Sequence, residues 1–119
     1  SGISQHFSFL ESKMKTYPQL RAHLYFGVRR ESDIYYESEL KRLQQSLPNF
    51  QYHYILSRPS ESWTGKKGYV QHFLNETNYK NIPTTFYLCG NGGMIKEAKH
   101  QLIEVDGVDK THIWAEAFD

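Results

Sequence analysis

The sequence predicts an α/β fold, a three-layer parallel sheet with helices on both faces. Short β-rich runs at Ala22 to Val28, Phe50 to Ser57, Thr84 to Cys89 and His112 to Ala115 alternate with segments of helical apolar spacing. Strand, helix, strand units of this kind cross over right-handed and leave their strands parallel. The third observation is a glycine-rich turn, Cys89-Gly90-Asn91-Gly92-Gly93-Met94, set between an apolar strand and a new helix.

Each element has a local reason. From about Ser4 to Lys15, Phe7, Phe9, Leu10 and Met14 suit a helix packed on one side, and Pro18 breaks it. After the strand at Ala22, Asp33 is expected to cap a helix whose Ile34, Leu40, Leu43 and Leu47 share a face, ended by Pro48-Asn49. In Phe50 to Ser57, Tyr52, Tyr54 and Leu56 should face away from His53 and Ile55. Arg58 to Lys66 reads as a polar loop, and Gly68 to Glu76 as a short helix burying Val70, Phe73 and Leu74. Another polar loop runs through Asn81, and Met94 to Val105 is expected to be helical. No internal repeat or low-complexity segment interrupts this order.

With 119 residues the chain has room for one domain, residues 1–119. Fourteen Lys and Arg against thirteen Asp and Glu give a net charge of +1, so no broad field points to nucleic acid or an anionic membrane. No apolar run approaches the roughly 20 residues that span a bilayer, and no export signal is visible. A single cysteine makes no internal disulfide, which fits a reducing compartment, and the cytoplasm is the expected location. The histidines show no metal-ligand spacing, and no Gly-x-Ser-x-Gly elbow supports a hydrolase.

A strand that empties into glycines and then a helix sets bare amides beside a positive helix end, a geometry suited to an anion. Glycines also serve ordinary tight turns, so the turn alone leaves both readings open. Two further strand ends, Gly27-Val28-Arg29 and Ser57-Arg58, belong to the same edge, because parallel α/β sheets bind ligands at the carboxyl ends of their strands. Ser57, Arg58, Lys67 and Tyr69 together supply a hydroxyl, two cations and an aromatic plane. That set matches an adenosine 2′-phosphate and its ring, and it equally describes a solvated basic loop.

In order, Ser1-Gly2-Ile3-Ser4, Leu24-Tyr25-Phe26-Gly27-Val28-Arg29, Leu56-Ser57-Arg58-Pro59 with Lys67-Gly68-Tyr69-Val70-Gln71, and Thr84 to Ile95 resemble the pyridine-nucleotide-binding half of the ferredoxin-NADP reductase family. The resemblance covers nearly the whole chain. It implies a ferredoxin reductase-like NAD(P)-binding domain that is a fragment of a larger FAD-containing flavoprotein. NADPH or NADH would pass a hydride to FAD held by a preceding β-barrel domain, and electrons would go on to a ferredoxin, a flavodoxin or an oxygenase component. The isolated domain would be inactive. The alternative is a nucleotide-binding regulatory module without electron transfer.

By the same resemblance, Cys89 sits against the nicotinamide and positions it rather than acting as a nucleophile, although a buried free cysteine is the common fate of a lone one. Ser4 and Glu116 are the implied small hydroxyl and acidic residue beside the ring. Gly2, Gly27, Arg29, Ser57, Arg58, Lys67, Tyr69, Gln71, Gly90, Asn91, Gly92 and Met94 complete the cofactor-binding set. Phe118 would cover the flavin, or simply pack as a terminal phenylalanine. The family also has a central strand before the motif that opens this chain. Its absence would leave two strands with unpaired amides, inviting either a second copy of the chain in the gap or a backbone rearrangement.

Overall fold

A computed structural model of the chain describes residues 2–34, 36–70, 74 and 84–117, with side chains in the first helix from Phe7 onward. The elements run α1 (Gly2–Thr16), β1 (Arg21–Val28), α2 (Glu37–Ser46), β2 (Phe50–Leu56), β3 (Lys66–Lys67), β4 (Thr84–Gly90), α3 (Gly92–His100) and β5 (Ile113–Ala117). All strand pairs are parallel, and the order across the sheet is β3-β2-β1-β4-β5. Every residue of β4 is buried, as a strand covered on both faces requires.

Alternation along the strands sorts the core into two layers. On one face Phe7, Leu10 and Met14 of α1 and Leu40 and Leu43 of α2 pack on Ala22, Leu24, Phe26, Tyr87 and Cys89. On the other, Met94, Ile95 and Ala98 of α3, with Val70 and Leu74, cover Tyr25, Ile55, Phe86 and Leu88. Tyr52 and Tyr54 lie on the α1 and α2 side and Ile55 on the α3 side, as the spacing predicts.

The expected gap does not exist, and with it goes the dimer through that gap. β1 pairs with β2 on one side and directly with β4 on the other, from Arg21 opposite Thr84 to Phe26 opposite Cys89. An interior row of unpaired amides is costly, and the sheet removes it within one chain.

Three smaller expectations also change. Asp33 does not cap α2: its Oδ2 accepts from the Arg30 amide at 3.1 Å and closes a 3₁₀ turn at Glu31–Asp33. α2 begins later, after Tyr36, whose φ of 64° is left-handed. The segment read as loop ends in β3, where Lys66 and Lys67 stand opposite Ile55 and Leu56. Trp63 pins that edge by donating from Nε1 to the Lys66 carbonyl at 2.9 Å. The last helix stops being α at His100 and finishes as a π turn over Gln101–Val105. Most of the helix expected at Gly68 to Glu76 lies outside the described residues, but Val70 and Leu74 are buried as predicted.

Candidate functional site

The carboxyl ends of β1, β2 and β4 open into one groove of about 860 Å³, within the roughly 300–1,000 Å³ common for small-molecule and cofactor sites. β1 and the turn beyond it contribute Gly27, Val28, Arg29, Asp33 and Tyr36. β2 and the loop after it supply Ile55, Ser57 and Arg58, and Gly68 and Tyr69 follow β3. β4, α3 and β5 add Gly90, Asn91, Met94 and Glu116.

Backbone pairing holds the first two loops together beyond the strands themselves. The Ser57 amide donates to the Val28 carbonyl at 3.0 Å and the Arg58 amide to the Arg29 carbonyl at 2.8 Å. Arg29 and Arg58 therefore leave the sheet side by side, and both line the groove. Farther out, Glu31 reaches across to the second loop. Its carboxylate accepts from the Ser60 amide at 2.9 Å and from the Ser60 hydroxyl, which in turn lies 2.8 Å from the Ser62 hydroxyl. The Ser60 hydroxyl and then its amide hold the Glu31 carboxyl below the ordinary carboxylate range.

The floor is packed closely around two glycines. A Cβ on Gly27 would stand 2.3 Å from the Met94 sulfur, and one on Gly90 2.0 Å from the Met94 methyl and 3.0 Å from the Gly27 carbonyl oxygen. Without side chains at either position, the backbones of β1 and β4 reach the groove directly. Asn91 caps α3 by accepting from the Met94 amide at 2.8 Å, so the helix opens at the groove. The helix dipole favours negative charge at such an end.

Glu116 stands opposite Cys89 in the pairing of β4 with β5. Among the described residues its Oε2 is buried with no hydrogen-bond partner, while the residue lines the groove. A buried acceptor without a donor is costly, and a ligand N–H or O–H reaching it would remove that cost. Cys89 itself is 3 % exposed on the α1 and α2 side and does not line the groove. Burial, and to a lesser extent the Glu116 charge, pushes its thiol up to about 12, so it stays protonated at neutral pH.

Residues 1–100 match the sequence model of the oxidoreductase NAD-binding domain. The chain belongs to that family. Over 118 residues this NAD-binding domain is 32% identical to the anthranilate 1,2-dioxygenase electron transfer component of Acinetobacter baylyi, covering 99% of the chain and 34% of the relative. It is 31% identical over 118 residues to a probable flavin reductase of Aliivibrio fischeri, covering 99% of the chain and 50% of that protein. The domain thus spans half or less of the length of these two relatives. Its fold matches an Amycolatopsis cytochrome P450 reductase with a TM-score of 0.70 at 19% identity, over 92% of this chain and 32% of that one. It also matches the flavohem-like FAD/NAD-binding domain of Vibrio cholerae nitric oxide dioxygenase, with a TM-score of 0.67 at 21% identity, over 94% and 44%. These and the other relatives are ferredoxin reductase-like flavoprotein oxidoreductases. Among the described residues no helix is long and apolar enough to cross a membrane.

Within the NAD-binding domain the groove gathers Gly27, Arg29, Ser57, Arg58, Tyr69, Gly90, Asn91, Met94 and Glu116 from the sequence-derived set. Lys67, Gly92 and Cys89 do not line it. Lys67 instead sits on the outer strand β3, opposite Leu56. Gly2 and Ser4 lie in the first turn of α1, and their side chains, like Gln71 and Phe118 altogether, fall outside the described residues. Sequence reasoning missed Asp33 and Tyr36 as lining residues. Their signal was positional: both belong to the turn that leaves β1 at the ligand-binding edge.

Proposed function

We propose that the groove binds NADH or NADPH and presents the nicotinamide to a flavin, so that the domain is the pyridine-nucleotide half of a flavoprotein reductase. The observation that carries this is the meeting of three strand-end loops at one groove with two arginines on one wall and an orphaned Glu116 oxygen on another. Arg58, Ser57 and the half-exposed Tyr69 would hold the adenosine end by charge-assisted hydrogen bonds and stacking. The amides at Gly90 and the start of α3 would face the pyrophosphate. Glu116 would accept from the nicotinamide carboxamide, and Cys89 would set the backbone of Gly90 from behind rather than attack the ring. Gly2 and Ser4 would stand at the nicotinamide end, Gln71 and Lys67 at the adenine end, and Phe118 over the flavin.

The flavin, held as FAD by a preceding β-barrel domain, would supply the hydride acceptor. What this chain contributes is alignment and exclusion of water, since hydride transfer gains from a near-attack pose. Electrons would then pass to a ferredoxin, a flavodoxin or an oxygenase component, in a cytoplasmic setting that keeps the lone thiol reduced.

Calorimetric titration with AMP tests the groove. We expect saturable binding by the chain and a loss of about tenfold in Arg58→Ala, the scale of one charge-assisted contact. Equal binding by the two proteins would remove the assignment. In the full-length protein, stopped-flow bleaching of the flavin by NADH or NADPH is expected; nucleotide binding without bleaching would favour a regulatory module.

A further inference from the structure

The two loops on the adenosine side of the groove are joined by more than backbone. Beyond the paired amides of Ser57 and Arg58, Glu31 crosses from the β1 side and takes both the amide and the hydroxyl of Ser60. The Ser62 hydroxyl completes that group through Ser60. An amide and two hydroxyls, two to four residues beyond an arginine on the same loop, make a donor set for an anion with several acceptor oxygens, such as a phosphate. Here a carboxylate of the chain itself already fills it. Glu31 does not itself line the groove, but it lies between Arg29 and Asp33, which do, and its carboxylate is held on Ser60, two residues beyond the lining Arg58.

We infer that Glu31 selects the coenzyme: it occupies the phosphate donors of the Ser60 loop and repels a 2′-phosphate, so that the groove takes NADH in preference to NADPH. The inference rests on the nucleotide reading of the groove and names the substrate within it. The balance of charge agrees. Arg29 and Arg58 already face two carboxylates among the described lining residues, Asp33 and Glu116, and Glu31 adds a third at the border. A dianionic ester entering there has to displace a carboxylate from two donors, whereas a free ribose hydroxyl does not. The hydrogen bonds from Ser60 also hold the Glu31 carboxyl below the ordinary carboxylate range. Glu31 is thus a specificity residue acting through charge and competition for donors, outside the reacting centre.

Calorimetric titration of the chain and of Glu31→Gln and Glu31→Ala with AMP and 2′-phospho-AMP tests it. The wild-type chain is expected to bind AMP at least as well as 2′-phospho-AMP. Both variants should bind 2′-phospho-AMP about tenfold more tightly than wild type, the effect of one unit charge removed from a partly solvated site, with AMP affinity unchanged. A gain confined to the phosphorylated nucleotide is not what a loosened loop produces. Unchanged or weaker 2′-phospho-AMP binding in both variants overturns the inference while leaving the groove assignment intact if AMP still binds. Failure of wild type to bind either nucleotide removes both.

Discussion

The two ends of the same parallel strands are built to opposite rules. Near their amino ends Ala22, Leu24, Phe50 and Phe86 are sealed in the core, and Tyr25, His53 and His23 stack across β1 and β2. Near their carboxyl ends stand two glycines against one methionine, a left-handed Tyr36 and a buried carboxylate oxygen without a donor among the described residues. The amino ends contribute stability. The carboxyl ends hold strain and unmet polar groups, which is what a site that must receive a ligand retains.

The sharpest way to break this contrast is to damage each end separately. Leu24→Ala, at 1 % exposure, should cost about 2–5 kcal/mol of stability, read as a lower urea midpoint, with AMP affinity of the folded fraction unchanged. Gly90→Ala should cost less, about 1–3 kcal/mol from overpacking, yet weaken AMP binding because the groove floor must move. Combined with Met94→Ala, it should cost less than the two single changes added together, since the nearest obstruction is the flexible end of Met94. If Leu24→Ala weakened AMP binding more than Gly90→Ala did, the division of labour would be wrong.

The smallest expected effect belongs to the histidine stack. His23 Nδ1 lies 3.3 Å from His53 Nε2, a contact that needs one ring nitrogen to donate and the other to accept. Burial first, then the neighbouring His53 and Arg21, lowers the His23 pKa to about 4 from an ordinary 6.5. Above 6.5 both folded and unfolded chains hold His23 neutral and its titration has no effect. As pH falls from about 6.5 toward 4 the unfolded chain takes the proton first, so stability is lost across that window. With solvent screening of a partly exposed ring the loss should be about 1 kcal/mol, seen as a falling urea midpoint between pH 7 and 5. His23→Gln should flatten that slope and leave nucleotide binding as it was.

Much of this contrast was legible in the residues. The two-residue period of Tyr52, Tyr54 and Ile55 placed each on its face, and the glycines at 27 and 90 marked where strands end at the groove. What could not be read was set by contacts far apart in sequence. β3 has no apolar pattern, because two lysines on an edge pair through backbone alone and a tryptophan fixes them. Asp33 looks like a cap for the helix after it, but its carboxylate is nearer the Arg30 amide behind it. Lys67 and Cys89 carry the right chemistry at the right spacing, yet strand alternation turns the thiol into the opposite core layer and edge pairing sets the lysine outside the groove. Glu31 gave no signal at all, since its partner Ser60 lies on another loop.

Direct pairing of β1 with β4 also decides when this chain becomes a protein during its own synthesis. On that flank Arg21 pairs with Thr84, far later in the chain. Closing so distant a contact is slow and its entropy is lost before the contact repays it. Until β4 joins, that flank of β1 lacks the partner it has in the finished sheet, and an unpaired strand edge is the kind of surface that associates with a neighbouring chain.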